Sequence, residues 1–258
     1  MLFGKKNKEG FDALRPTKII VAAAVALLAL IFALPAVMTV FGKEKLMPIY
    51  SVDTPDKVVA ITLNAAWGDS DTDILIEILD EFDAKATFFV CGYWVTKYPE
   101  ALRKFYEAGH AIGNHGDTHA HVASLNFEQN VEEIAAAHTR VLREIGVEMD
   151  LYRPPYGEYN DTVIKAANSL KYYTIQWDVD SLDWKRPTPE AMADRVLNHK
   201  ALQNGSIILF HCDIPETPIA LRKILTELKN KGYGFTTVTD LIHKENYKID
   251  HAGRQILN

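Results

Sequence analysis

From residue 58 to residue 243, short apolar runs alternate with longer stretches whose apolar residues recur at helical spacing. The short runs are rich in Val, Ile, Phe and Thr, which favours strands. They predict strands at 58–63, 86–91, 110–114, 150–153, 172–177, 206–211 and 234–238. The periodic stretches predict helices at 71–83, 94–108, 127–146, 160–170, 189–200, 217–231 and 239–243. Two of these helices are followed directly by glycines, Gly109 and Gly232, the usual stop signal. The strands read as continuously apolar, as strands covered on both faces do. Repeated strand–helix units of this kind predict an α/β fold, a deformed (β/α)7 barrel. No low-complexity segment or internal repeat interrupts it.

The pattern changes before residue 58. Ile19 to Phe41 contains no charged residue. At helical rise it spans roughly 35 Å, enough to cross a bilayer. A cleaved signal peptide usually has an apolar core of only about 7–15 residues, and Ala33-Leu34-Pro35-Ala36 is a poor cleavage site. The expected organisation is therefore a cytoplasmic basic tail (1–18), a transmembrane anchor (19–42), a linker (43–57), a folded domain (58–243) and a polar C-terminal tail (244–258). Five basic side chains stand in residues 1–42 against two acids. That flank orients the chain with its domain outside a cell membrane crossed once.

Charge then narrows the partners. The chain has 28 Lys and Arg against 34 Asp and Glu, a net charge of −6, and its basic excess sits before the domain. A domain this acidic is a poor generic binder of nucleic acid. Of the cysteines, Cys91 and Cys212 are expected as buried thiols at strand ends. A disulfide is possible outside the cell but not required at this size.

If the strands form a barrel, their ends bring four polar clusters to one face: "NHGDTHAH" from Asn114, "YRPPYG" from Tyr152, "WDVDSLDW" from Trp177 and "LFHC" from Leu209. His115 and His119 have a spacing that lets two imidazoles reach one metal, although such a pair alone is more often surface or core histidine. Arg153 precedes a rigid Pro-Pro pair and by itself reads as a surface charge. The aspartates of the third cluster read first as helix caps. His211 ends a buried strand, where it is either a core histidine or a general acid.

In their order, "ITLN", "ATFFVCG", "NHGDTHAH", "YRPPYG", "WDVDSLDW" and "ILFHC" resemble the NodB-type polysaccharide deacetylases over roughly residues 57–243, and the Trp67-Gly68 pair is similar to the branch found in spore-forming bacteria. The resemblance implies a deformed barrel that removes N-acetyl groups from amino sugars of a cell-envelope glycan such as peptidoglycan. It implies a divalent metal, zinc, with His115 and His119 as ligands. His211 would be the general acid, tuned by Asp183. Arg153 would orient the base, Tyr156 would help hold the oxyanion through its backbone, and Trp184 and Leu209 would line the acetyl pocket together with Trp67.

One motif departs. In the family the first strand usually ends Thr-Phe-Asp-Asp-Gly, with the first Asp as base and the second as metal ligand. Aligned at Thr62, Asn64 takes the base position and Ala65 the ligand position. Asn cannot accept a proton, and losing a general base costs about 10²–10⁴ in rate. Two imidazoles are one short of the usual protein ligand set of catalytic zinc, so the metal is expected to bind weakly. Three readings follow: a membrane-anchored, sporulation-related N-deacetylase with a rebuilt site, in which Asp69 or Asp71 replaces the base and His121 or Asp117 the ligand; a glycan-binding pseudoenzyme; or a structural membrane protein of the cell envelope, against which the survival of His115, His119, Arg153, Asp183 and His211 argues.

Overall fold

The computed structural model describes residues 45–258. The basic tail and the transmembrane anchor expected over 1–42 lie outside the described residues. Among the described residues no helix is long and apolar enough to cross a membrane. Residues 46–258 form one compact unit.

Its first strands are β1 (Ser51–Val52) and β2 (Val58–Ala65), followed by α1 (Thr72–Glu81), β3 (Thr87–Val90), α2 (Gly92–Lys97) and α3 (Pro99–Glu107). Then come β4 (Ala111–Asn114), α4 (Phe127–Ile145), β5 (Leu151–Tyr152), α5 (Asp161–Ser169), β6 (Tyr173–Thr174) and β7 (Val179–Asp180). The chain continues through α6 (Pro189–Leu197), β8 (Ser206–His211), α7 (Glu216–Asn230), β9 (Gly234–Thr236), α8 (Val238–Leu241), β10 (Tyr247–Ile249) and β11 (Arg254–Leu257).

β8, β2, β3, β4, β5 and β6 lie side by side in that order, each pair parallel. The gap between β6 and β8 is spanned by the segment before β2: Ile49 bridges Ile175, and Ser51 pairs with Ser206. The result is a deformed α/β barrel, as the alternation of elements predicts. β2 shows why both faces read as apolar. Val59, Ile61, Leu63 and Ala65 join the larger core cluster with the helices, while Ala60 joins a smaller cluster with Phe89, Leu151, Ile175 and Ile207. Successive strand residues point to opposite faces, so Thr62 and Asn64 share the side of Ala60.

Local signals explain several helix boundaries. At α4 the Asn126 side chain accepts from the Gln129 N–H while the Gln129 side chain accepts from the Asn126 N–H, a reciprocal cap, and the helix ends at Gly146 with φ 72°. The expected single helix over 94–108 is instead two, α2 and α3. Pro99 cannot continue the hydrogen-bond ladder of α2 but suits the first turn of α3.

Two further expectations are corrected. Residues 43–57 are not all linker, since β1 sits within the sheet and Ile49 and Val52 are buried. Residues 244–258 are not a free tail either. β10 and β11 form a hairpin, β11 pairs with β1, and Gln255 is fully buried, bonding the His243 backbone in both directions. These edge strands are short and mostly polar, so no apolar run announces them. Cys91 and Cys212 are free, buried thiols, each just past a strand.

Candidate active site

The parallel register gathers the strand ends. Asn64 on β2 pairs with His211 on β8 and with Phe89 on β3, and Asn114 on β4 pairs with Val90 and Tyr152. Above these ends opens a cavity of about 650 Å³. Asn64, Trp67, His115, His119, Tyr156, Trp184, Leu209 and His211 all line it. Arg153 and Asp183 are fully buried and hold lining residues in place.

Arg153 lies at the centre of the first network. Its Nη1 donates to the Thr62 hydroxyl at 2.9 Å and to Asn64 Oδ1 at 3.0 Å, and its Nη2 donates to the Gln176 carbonyl at 3.1 Å. The guanidinium stacks over Phe89, 4.0 Å from the ring centre, with Trp177 at 5.5 Å. Among the described residues no carboxylate bonds it, and Nε has no partner. Burial pulls this guanidinium down to about 9, opposed only by the nearby Asp180 carboxylate. A buried cation held by neutral acceptors alone is an expensive arrangement.

The second network is an imidazole–carboxylate pair. His211 Nδ1 lies 2.7 Å from Asp183 Oδ1. Asp183 also accepts from the His211 N–H at 2.6 Å, the Trp184 N–H at 2.9 Å and the Thr217 hydroxyl at 3.0 Å. Such a pair fixes the orientation and tautomer of the ring, with Nδ1 turned to the carboxylate, and His211 lines the cavity, where a positioned imidazole can exchange a proton with a leaving amine.

His115 and His119 do come together, with ring centres 5.0 Å apart. His115 Nδ1 is 2.7 Å from the Arg153 carbonyl, which makes it the donor and leaves Nε2 outward. His119 is at φ 57°, a left-handed conformation that turns its ring toward Tyr156, 4.5 Å away. Burial first, then a neighbouring histidine, holds both imidazoles below their usual range. Among the described residues, however, no group of three His, Cys, Asp or Glu could hold a metal. Ala65 is fully buried in the helix-side cluster and does not line the cavity. The donor set does not fit a catalytic metal centre.

None of the four residues considered as replacements reaches the cavity. Asp117 is clamped in a two-pronged ion pair by Arg140, with Nε at 2.6 Å and Nη2 at 3.2 Å. His121 Nδ1 is 2.9 Å from Glu158 and its ring stacks on Tyr156. Asp71 is buried and accepts the Asp213 N–H at 2.7 Å, and Asp69 is exposed on the preceding turn. The rebuilt-site expectation is thus not met by any of these side chains.

The structure adds residues that the motifs left without a role. Trp177, Asp180, Arg186 and Ile214 line the cavity. Trp177 and Asp180 lie within the "WDVDSLDW" cluster and are joined by an indole–carboxylate bond of 3.3 Å. Arg186 is held by Glu216 at 2.8 Å, and nothing in its local sequence singled it out. Gly157 also lines the wall. It stands at φ +69°, and a Cβ there would meet the Trp177 ring at 2.9 Å, so glycine is required twice over. Trp67, Tyr156 and Trp184 are each about half exposed, leaving three aromatic faces around the opening.

A deformed α/β barrel thus carries an imidazole–carboxylate pair, a histidine pair and a buried arginine at its strand ends. The polysaccharide deacetylase family model matches residues 51–175. The chain is 33% identical to a peptidoglycan-N-acetylglucosamine deacetylase of Bacillus cereus over 75% of its own length and 92% of that protein. It is 34% identical to the uncharacterized protein YlxY of Bacillus subtilis over 76% of its length, spanning 60% of that relative. Among solved structures it superposes, with a TM-score of 0.73 and 30% identity, on a CE4 family pseudoenzyme from Bacillus anthracis, covering 82% of this chain and 73% of that one. The chain belongs to the polysaccharide deacetylase family.

Proposed function

We propose that this chain binds an N-acetylated cell-envelope glycan of the peptidoglycan type in its strand-end cavity, with hydrolysis greatly impaired. The observation that carries this reading is the Arg153–Asn64 bond. Asn64 and Ala65 stand where the family resemblance places the base and the acidic ligand. The guanidinium that would orient a carboxylate holds an amide instead. An amide does not take a proton from water, and no other acid reaches the cavity from the first loop. The pocket walls remain: Leu209 and Trp184 to receive an acetyl group, and Trp67 and Tyr156 as faces on which a sugar ring can stack. Likeness to a pseudoenzyme supports the same reading.

A second reading, a slow N-deacetylase, is favoured by the His211–Asp183 pair, which remains built as a proton donor. The two separate in one experiment. Full-length protein is incubated with purified peptidoglycan; the pelleted fraction and the released acetate are both measured. Glycan binding predicts co-sedimentation with acetate release about 10²-fold or more below that of a complete-site relative. Comparable release would overturn it in favour of the enzyme.

We propose in addition that the uncharged run from Ile19 to Phe41 anchors the chain in the cell membrane with the domain outside, in a role tied to sporulation. Protease added to intact cells would then digest the domain and spare the first residues. A mature protein beginning near residue 37 would favour a cleaved signal instead.

A further inference from the structure

We infer that Asn64 makes the cavity a reader of acetylation, holding the N-acetyl form of the sugar and rejecting the free amine. The inference deepens the glycan-binding reading and rests on it.

The orientation of the Asn64 amide is fixed by chemistry. A guanidinium has donors and no acceptor, so the Asn64 atom 3.0 Å from Arg153 Nη1 must be the oxygen. The nitrogen then points away from Arg153. Asn64 lines the cavity, and its Nδ2 makes no hydrogen bond among the described residues. An unused N–H donor therefore stands at the floor, where a carboxylate would have presented only acceptors. Leu209, 2% exposed, also lines the cavity and adds an apolar patch to its wall.

An acetamide matches this floor. Its carbonyl accepts from Asn64 Nδ2 and its methyl packs on Leu209. The deacetylated sugar does not match. Its protonated amine, an ammonium, can only donate, and it would approach a buried guanidinium that no carboxylate bonds among the described residues. Asp183 and Glu216, two of the acids near the cavity, are taken by other partners. Asp183 is saturated by His211, Trp184 and Thr217; Asp180 lines the cavity as a negatively charged carboxylate, but its two oxygens already accept from the Leu182 N–H and the Trp177 indole. Glu216 is paired with Arg186. One hydrogen bond gained and one like-charge approach avoided amount to about a tenfold preference or more.

The test is calorimetric titration of the full chain in detergent, with EDTA present and near pH 6.5, using the tetramer of N-acetylglucosamine and the tetramer of glucosamine. The acetylated tetramer should bind at least about tenfold more tightly. Asn64→Asp should erase or invert that preference, because a carboxylate accepts from ammonium and cannot donate to a carbonyl. Asn64→Ala, which removes the donor without adding charge, should weaken the acetylated tetramer alone by about tenfold. Equal binding of both tetramers, unchanged in both variants, would overturn the inference and leave glycan binding standing. Binding of neither tetramer would overturn the glycan reading itself and this inference with it.

Discussion

The Arg153 guanidinium donates to Asn64 Oδ1 at 3.0 Å, across 89 positions of sequence, and meets no carboxylate. A fully buried cation bonded only to a hydroxyl, an amide and a carbonyl has lost its hydration without a bonded opposite charge, and the nearby Asp180 carboxylate offsets only part of that loss. Asn64→Asp supplies that charge with almost no change in shape. The variant should therefore be more stable than the natural chain, by about 2 kcal/mol in urea unfolding at neutral pH. Lower stability in Asn64→Asp would show that the site prefers the amide and that Arg153 is compensated by some other route.

The second buried network should respond in the opposite direction. Asp183 accepts four hydrogen bonds, two from His211 and one each from Trp184 and Thr217. Asp183→Asn replaces one accepting oxygen by a donor that faces other donors. The cost should be about 3–5 kcal/mol, read as a lower urea midpoint. The His211 ring, no longer held at Nδ1, should also lose its single tautomer in imidazole nitrogen NMR. A variant within about 0.5 kcal/mol of the natural chain would mean that the network contributes little.

How much of this could be read from the sequence depends on element length and on what each side chain touches. β2 and β8 are long, apolar and covered on both faces, so their runs stand out, and their register alone places Asn64 beside His211. β1, β7, β10 and β11 have only two to four residues with mixed polarity, and no periodicity reveals them. Motif order placed eight residues around the cavity. It could not show that Asp117 is taken by Arg140, or that Ala65 faces the helix-side core, because both depend on packing between distant segments. Arg186 reaches the cavity through its ion pair with Glu216, a partner thirty positions away that no local pattern connects to it.

His110 gives a pH signature remote from the site. It is buried beside Phe88, its Nδ1 accepts the Ala86 N–H at 3.3 Å, and its Nε2 has no partner. Burial, then the charge of Lys85, pulls its imidazole down to about 4 from 6.5, with Asp80 opposing. Between those values the unfolded chain binds a proton that the folded chain does not. The folding contribution of neutral His110 is thus complete above about pH 6.5 and is lost as pH falls toward 4. Asp71 and Asp178, pushed up to about 6 by burial, act in the opposite sense between 3.8 and 6, so the total pH profile mixes all three. The comparison with His110→Gln isolates one. Relative to that variant, the natural chain should lose up to about 3 kcal/mol on going from pH 6.5 to pH 4. A pH-independent difference would show that His110 takes up its proton without penalty.

Metal affinity tests whether Asn64 and Ala65 mark lost carboxylates. The natural chain offers two imidazoles, His115 and His119, and should bind zinc weakly; His115→Ala with His119→Ala should abolish that binding. Unaltered uptake in this double variant would show that the pair is structural and that zinc sits elsewhere. Asn64→Asp with Ala65→Asp should tighten zinc at least about tenfold, because a third, anionic ligand joins the pair. The two changes meet different surroundings. A carboxylate at position 64 would face Arg153, a ready partner. A carboxylate at position 65 would start among apolar neighbours and must turn toward the histidines to escape them. Restored deacetylation of an N-acetylglucosamine oligomer should accompany tighter zinc in the double variant and exceed what the single changes give together, since the two carboxylates would serve one reacting centre. Zinc bound tightly without any acetate released would show that Trp67, whose ring lies 5.5 Å from His211 and 6.1 Å from His119, blocks the reacting position. In that case a third change, Trp67→Ala, should release activity from the same double variant; continued silence would place the catalytic defect beyond the first strand.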